Sequence, residues 1–251
     1  METTSGNFNL PTEVEPPVED FSKMFVLIYG PPKIGKSTLA STFPKALFLA
    51  TEEGLRFLPV LRKSCPDWLS FREIVKQLRM PEAKQHYKTI VIDTIDLLYA
   101  SCENYICTTR KIRHPSEEEW GKGWSMVRDE FQMGVKYLTG EGYGVVFISH
   151  HKEVEATLQG IKKVKTVPSL SGTARRIILP LVDFIVYLAP DAKNPDRAVR
   201  LLHTMPTLDF EAGTRQAFFP EAIDDISYHG LSEALRTAKA RELTFNQDAK
   251  E

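Results

Sequence analysis

The sequence has no run of 18 consecutive apolar residues, which excludes a membrane-spanning helix. It has three cysteines, Cys65, Cys102 and Cys107, an odd number in no zinc-like spacing with histidine. Neither a disulfide framework nor a zinc site is expected, and the thiols read as reduced. HxH and HExxH patterns are missing, so no histidine metal site is encoded. Glycine (14) and proline (16) stay near their average shares, which excludes collagen-like and low-complexity chains. No internal repeat is present. No basic stretch leads an apolar one near Met1, so a secretory leader is not expected and the expected location is cytoplasmic. A global excess of positive charge is also missing: the net charge is −1. Residues 1–20 hold five acids (Glu2, Glu13, Glu15, Glu19, Asp20) and no base, leaving 32 bases against 28 acids elsewhere, a net of +4. The body is mildly basic behind an acidic segment.

Three parts are expected along the chain. Residues 1–22 are an acidic tail whose composition predicts disorder. Residues 23–225 form one core, and residues 226–251 a C-terminal helix and tail. Short continuous apolar runs at 24–29, 46–50, 88–92, 144–149 and 183–188 read as buried parallel strands. Further strands are expected at 198–205 and 216–219. Helical spacing covers 36–43, 67–78, 95–106, 124–138 and 231–241. Strands alternating with helices predict an α/β fold, a mostly parallel twisted sheet with helices on both faces. Ligands then bind beyond the carboxyl ends of the strands.

The sharpest motif is Gly30-Pro31-Pro32-Lys33-Ile34-Gly35-Lys36-Ser37, followed by Thr38; it matches G-x-x-x-x-G-K-[ST] in full. It follows an apolar strand and opens a helix. Its glycines let successive backbone N–H groups turn toward phosphate oxygens, and the helix N-terminus adds partial positive charge. Lys36 would reach the β- and γ-phosphates of ATP, and the Ser37 hydroxyl would bind Mg²⁺. A second Mg²⁺-side carboxylate is expected at the end of a neighbouring strand, where Asp93 closes Lys88-Thr89-Ile90-Val91-Ile92. Asp93 also suits a helix cap, a role compatible with the first. Thr94 rather than Glu follows it, so the carboxylate that activates water must come from elsewhere. Glu52 or Glu53, after the strand at 46–50 and expected one strand from the phosphate loop, is the candidate. His150, at the tip of 144–149, is the candidate to contact the γ-phosphate; a hydrogen-bonded strand-end histidine is the alternative.

The order phosphate loop, Glu52, Asp93, His150, basic loop resembles the RecA-type recombinase core. In that pattern an apolar strand ends in an acid followed three positions on by Leu, as in Thr51-Glu52-Glu53-Gly54-Leu55. The compact form is similar to phage-encoded AAA-type nucleotide-binding proteins, including RecA-core single-strand annealing proteins of the Sak type. His150-His151-Lys152 and the stretch from Pro168 through Gly172-Thr173-Ala174-Arg175 to Asp183 carry that likeness, which covers about 23–220. The resemblance implies a RecA-like P-loop ATPase, phage-encoded and stimulated by DNA, that binds single-stranded DNA and promotes annealing or recombination. RecA itself has Gln where this chain has His150.

In RecA-like proteins the principal DNA loop follows the strand that ends here before His150. Lys152, Lys162, Lys163, Lys165, Arg175 and Arg176 are the candidate DNA contacts, on a hairpin expected over 155–170 around Gly160. A solvated hairpin is the alternative. A second basic run, Arg110-Lys111-Ile112-Arg113-His114, is a charged loop between helices or a weaker patch. Trp120 and Trp124 nearby are expected in the core, with docking of a base or a neighbour as the alternative. The family also implies a homo-oligomer, filament or ring, in which a neighbour's cation completes the site; Arg215 is the candidate. Phe8-Asn9-Leu10 could anchor on the next subunit. A single-strand-binding protein is a further possible partner. A P-loop small-molecule kinase, with 152–176 as its lid, and a nucleotide-gated adaptor or loader in replication are the competing readings.

Overall fold

The computed structural model describes residues 11, 13–15, 17–158, 161–191 and 199–248. Before the first strand, a single turn at Phe21–Lys23 is capped by Asp20, whose carboxylate accepts the Ser22 N–H at 2.9 Å. Phe21 is buried against Phe43, Phe184 and Tyr228.

The elements that follow are β1 (Phe25–Tyr29), α1 (Lys36–Ser41), β2 (Ala46–Ala50), β3 (Leu61–Ser64), α2 (Trp68–Leu78), α3 (Pro81–His86), β4 (Thr89–Asp93), α4 (Ile95–Arg110) and α5 (Lys122–Thr139). Then come β5 (Gly144–Ser149), β6 (His151–Leu158), β7 (Ile161–Pro168), α6 (Gly172–Leu181), β8 (Phe184–Pro190), β9 (Arg200–His203), β10 (Gly213–Thr214), β11 (Ala222–Ile223) and α7 (Tyr228–Asp248). The main sheet runs β11-β9-β8-β1-β5-β4-β2-β3, with β10 on β8. From β8 to β3 every pairing is parallel, and β9, β10 and β11 add antiparallel pairs. The expected α/β architecture is therefore observed.

Alternation along the central strands feeds two cores. Leu27, Ile90, Ile92, Val145 and Phe147 point to one face, under α2, α4, α5 and α6. Val26, Ile28, Val91, Val146 and Ile148 point to the other, under α1 and α7. Both faces are dry, which is why these strands are apolar at every position. Tight approach fixes some residues: a Cβ on Gly134 of α5 would lie 2.6 Å from the Trp68 ring.

Several expectations fail. Residues 216–219 are not a strand: Phe218 has φ 59°, a left-handed value that breaks an extended run, and the pairing falls to β10 and β11 on either side. β3, α3 and α6 appear where no element was expected. Trp120 is not in the core but 99% exposed, at φ 56° in the loop between α4 and α5. Trp124 is exposed too and packs edge-on against His114. The expected hairpin is present as β6 and β7, paired from His151↔Pro168 to Leu158↔Ile161; Gly160 lies outside the described residues, as does Phe8-Asn9-Leu10.

Candidate functional site

The strand tips meet at one edge of the sheet. Tyr29 pairs with Ser149, Asp93 with Ile148 and Ala50 with Asp93, so β1, β5, β4 and β2 end level. The order corrects two expectations. β4 is not beside β1, because β5 runs between them, and β2 lies beyond β4, three positions from the phosphate loop. Sequence order says nothing of where a returning strand inserts. The level tips still gather the same side chains.

The phosphate loop leaves β1 at Gly30, φ 155°, where a Cβ would stand 2.2 Å from the Leu188 carbonyl oxygen. It re-enters helix at Gly35, φ 110°, where a Cβ would meet Arg200 Nη1 at 2.5 Å. Only glycine fits either place. Lys36 is buried, and its Nζ donates to the Gly30 and Pro31 carbonyl oxygens at 2.9 Å each. Pro32, Lys33 and Thr38 are exposed, and Pro31 and Ile34 partly so. Ser37 Oγ donates to Asp93 Oδ2 at 2.7 Å.

Burial pushes the Lys36 ammonium below its ordinary pKa, opposed by Asp93, Asp96 and Glu52. Burial pushes the Asp93 carboxyl up; the Ser37 hydroxyl, Lys36 and His150 hold it down, while Glu52 raises it further. The Glu52 charge thus reaches both groups. Glu53 instead ion-pairs with Arg56 in solvent. Thr51 fastens this corner: its Oγ1 accepts the Thr94 N–H at 2.7 Å, and its own N–H donates to the Asp93 carbonyl at 2.9 Å. A cavity of about 430 Å³ opens beside it, lined by Thr51, Glu52, Leu55, Arg62 and Pro66.

These donors fit a polyphosphate with a hard divalent cation. A cation of the Mg²⁺ type takes oxygen ligands, and a hydroxyl and a carboxylate already face each other at Ser37 and Asp93. Lys36 supplies a buried positive charge on the same loop.

Two residues of this region carry no sequence motif. Arg200, on β9, donates from Nη1 to the Ile34 carbonyl at 2.8 Å and so braces the phosphate loop from outside. Asp96, in the first turn of α4, accepts from Ser149 Oγ (2.9 Å), the His150 N–H (3.0 Å) and Ser169 Oγ (2.7 Å). An acid in a first helical turn, favoured by the dipole, was the one available sign of it.

The basic candidates divide. Cross-strand register puts Lys152, Lys163 and Lys165 on one face of the hairpin, with the buried Val167. Glu153, Glu155 and Lys162 share the other, exposed face. Lys152 Nζ donates to the Leu170 carbonyl at 3.0 Å. Arg175 is taken up by Glu211, 2.6 Å from Nη2 to Oε1, while Arg176 is exposed on α6 beside a groove shared with Arg128 and Lys136 of α5. Arg215 lies at the opposite end of the sheet. It is held to Asp183, just before β8, at 3.5 Å and to the Pro180 carbonyl.

No helix among the described residues is long and apolar enough to cross a membrane. Comparison with known proteins gives three findings. Residues 22–216 match the family AAA_24, described as an AAA domain. The chain is 27% identical over 186 residues to the SPbeta prophage-derived uncharacterized protein YorG of Bacillus subtilis (strain 168), covering 69% of this chain and 53% of that one. It therefore spans about half the length of that relative. Among solved structures it is similar to the RadB recombinase, with a TM-score of 0.42 and 15% identity over 72% of this chain and 80% of that one. With most of its length inside one family model, the chain belongs to the AAA domain family of P-loop NTPases.

Proposed function

We propose that this chain is an ATP-hydrolysing, RecA-like protein that binds single-stranded DNA and promotes annealing or homologous recombination in a phage or prophage setting. The observation that carries the reading is the convergence of Lys36, Ser37, Asp93 and the Glu52 charge at level strand tips, one of which, β5, runs on through His150 into a lysine-bearing hairpin. Lys36 neutralises the β- and γ-phosphates, and the backbone N–H groups from Ile34 to Ser37 cradle them. Ser37 and Asp93 hold Mg²⁺, which supplies further neutralisation of the phosphate charge. Glu52 orients water and takes its proton, and His150 contacts the γ-phosphate from the tip of β5. Glu53, paired with Arg56 in solvent, has no part in this scheme.

Single-stranded DNA lies along the Lys152, Lys163 and Lys165 face of the hairpin, because the other face carries two carboxylates against one lysine. Further copies of the chain, in a ring or filament, complete the nucleotide site, with Arg215 as the neighbour's cation. A single-strand-binding protein is a further partner of the assembled form.

The test is a gel-shift titration of a single-stranded oligonucleotide at low salt, with and without a non-hydrolysable ATP analogue. Binding strengthened by the analogue and lost in Lys36→Ala supports the reading. No binding in either condition removes DNA from it. Phosphoryl transfer to a small acceptor in place of phosphate release would favour the kinase reading.

A further inference from the structure

The hairpin joins the body of the protein at its base and, along β7, through Thr166, whose N–H donates to the Asp209 carbonyl at 2.8 Å and whose carbonyl accepts the Glu211 N–H at 3.0 Å; the base forms a neck. One strand leaves from Ser149 and His150, and the other returns at Ser169, whose N–H closes the neck on the His150 carbonyl at 2.9 Å. Both sides of the neck are tied to one carboxylate. Asp96 Oδ1 accepts from Ser149 Oγ and Ser169 Oγ, and Oδ2 accepts from the His150 N–H. The carboxylate accepts all of these at once, and a methyl side chain at this position would accept none of them.

Asp96 also stands three residues after Asp93, across the junction where β4 ends and the extended Thr94 caps α4. Between them Thr94 is fastened to Thr51 by its N–H and its carbonyl. The segment from 93 to 96 is therefore a short rigid bridge. One end holds the Ser37 hydroxyl, and the other holds the hairpin neck.

We propose that Asp96 is the positioning residue through which occupancy of the phosphate site reaches the β6–β7 hairpin. This rests on the nucleotide-binding part of the reading above, not on DNA binding. Ser37 and Asp93 would hold the cation that accompanies the nucleotide, and its entry would release their mutual hydrogen bond and shift the first turn of α4. Asp96 carries that shift to Ser149, His150 and Ser169 together, at the base of both hairpin strands.

The experiment is hydrogen exchange by mass spectrometry on the full chain, with and without Mg²⁺ and a non-hydrolysable ATP analogue. Calorimetry on the same samples gives the analogue's affinity. In the wild type, peptides covering β6 and β7 should slow about 3–10-fold with the analogue, the scale set by one or two net hydrogen bonds. In Asp96→Ala the analogue should bind within about threefold of wild type, while the nucleotide-dependent change in the hairpin disappears. Ser169→Ala, which removes only the hairpin-side bond, should retain a reduced change, and it carries the test if Asp96→Ala does not fold. A carboxylate with a purely structural role would loosen the hairpin equally with and without the analogue. An unchanged wild-type hairpin, or a full response in Asp96→Ala, overturns the proposal. A loss of affinity in Asp96→Ala of tenfold or more does so too, by assigning the residue to the nucleotide site itself. Failure of the wild type to bind the analogue in calorimetry instead overturns the nucleotide reading, and the proposal falls with it.

Discussion

The pair Glu52→Gln and Glu53→Gln separates the candidate base from its neighbour in sequence. The two residues are adjacent, yet their surroundings differ. Glu52 lies close enough to Lys36 and Asp93 to act on both charges. Glu53 is spent on a solvent-exposed ion pair with Arg56, a class of interaction that contributes about 0–1 kcal/mol. A general base contributes about 10²–10⁴ in rate, which is roughly 2.7–5.4 kcal/mol of barrier at 1.36 kcal/mol per decade. Glu52→Gln should therefore lower kcat for phosphate release by at least about 100-fold. Glutamine keeps the shape and removes a negative charge beside the polyphosphate, so nucleotide affinity should hold or rise. Glu53→Gln should stay within about threefold of wild type. Steady-state phosphate release gives kcat, and calorimetry gives affinity. If Glu52→Gln keeps a third of the wild-type rate, or Glu53→Gln falls as far as Glu52→Gln, the assignment is wrong. Unchanged biological activity in both variants, alongside an inactive Lys36→Ala, would favour the nucleotide-gated adaptor.

Gly35→Ala should lower the denaturation midpoint and abolish nucleotide binding, since its Cβ meets Arg200 Nη1 at 2.5 Å; in an Arg200→Ala background the stability loss should shrink, leaving only the backbone strain, which a double-mutant cycle in urea measures. Burial holds the His203 pKa below its ordinary 6.5, with Asp191 opposing. The unfolded chain then binds more protons between the two values, so stability from this source is complete above about 6.5 and falls as pH drops below it; His203→Phe should flatten that slope in denaturant midpoints taken from pH 5 to 7.5. Replacing Lys152, Lys163 or Lys165 by Ala should make the salt dependence of single-strand binding shallower by about 0.7 per lost phosphate contact, and Lys162→Ala should change it less, in titrations over a salt series. Gly134→Ala should cost about 1–3 kcal/mol of stability by overpacking against Trp68, without altering kcat per folded molecule.

The sequence disclosed elements in proportion to how much of their environment is local. β1, β2, β4 and β5 were legible because a strand dry on both faces must be apolar throughout, and the phosphate loop because its conformation requires glycines at fixed offsets from Lys36. β3 was illegible for the converse reason. All four of its residues, Leu61 to Ser64, are exposed at the sheet edge, and no periodicity marks it. β10 and β11 are two residues each, set by long-range pairing with β8 and β9. Trp120 misled because an aromatic ring argues for burial only on average, while its position between two helices left it in solvent.

The same distinction explains why the candidate site was readable although the strand order was not. Parallel register sets the ends of β1, β5, β4 and β2 level, whatever their order across the sheet. A polar residue that closes an apolar run, or follows it within two positions, then arrives at the common edge. His150, Asp93 and Glu52 all satisfy that rule, so a one-dimensional reading found them without knowing that β5 separates β1 from β4. Arg200 and Asp96 escape it for opposite reasons. Arg200 starts an antiparallel strand and reaches the loop sideways, from a chain position 166 residues beyond Ile34. Asp96 sits at the edge but faces the hairpin neck rather than the phosphate loop. The rule identifies what lies at the edge; which side each group serves follows only from the hydrogen bonds it accepts.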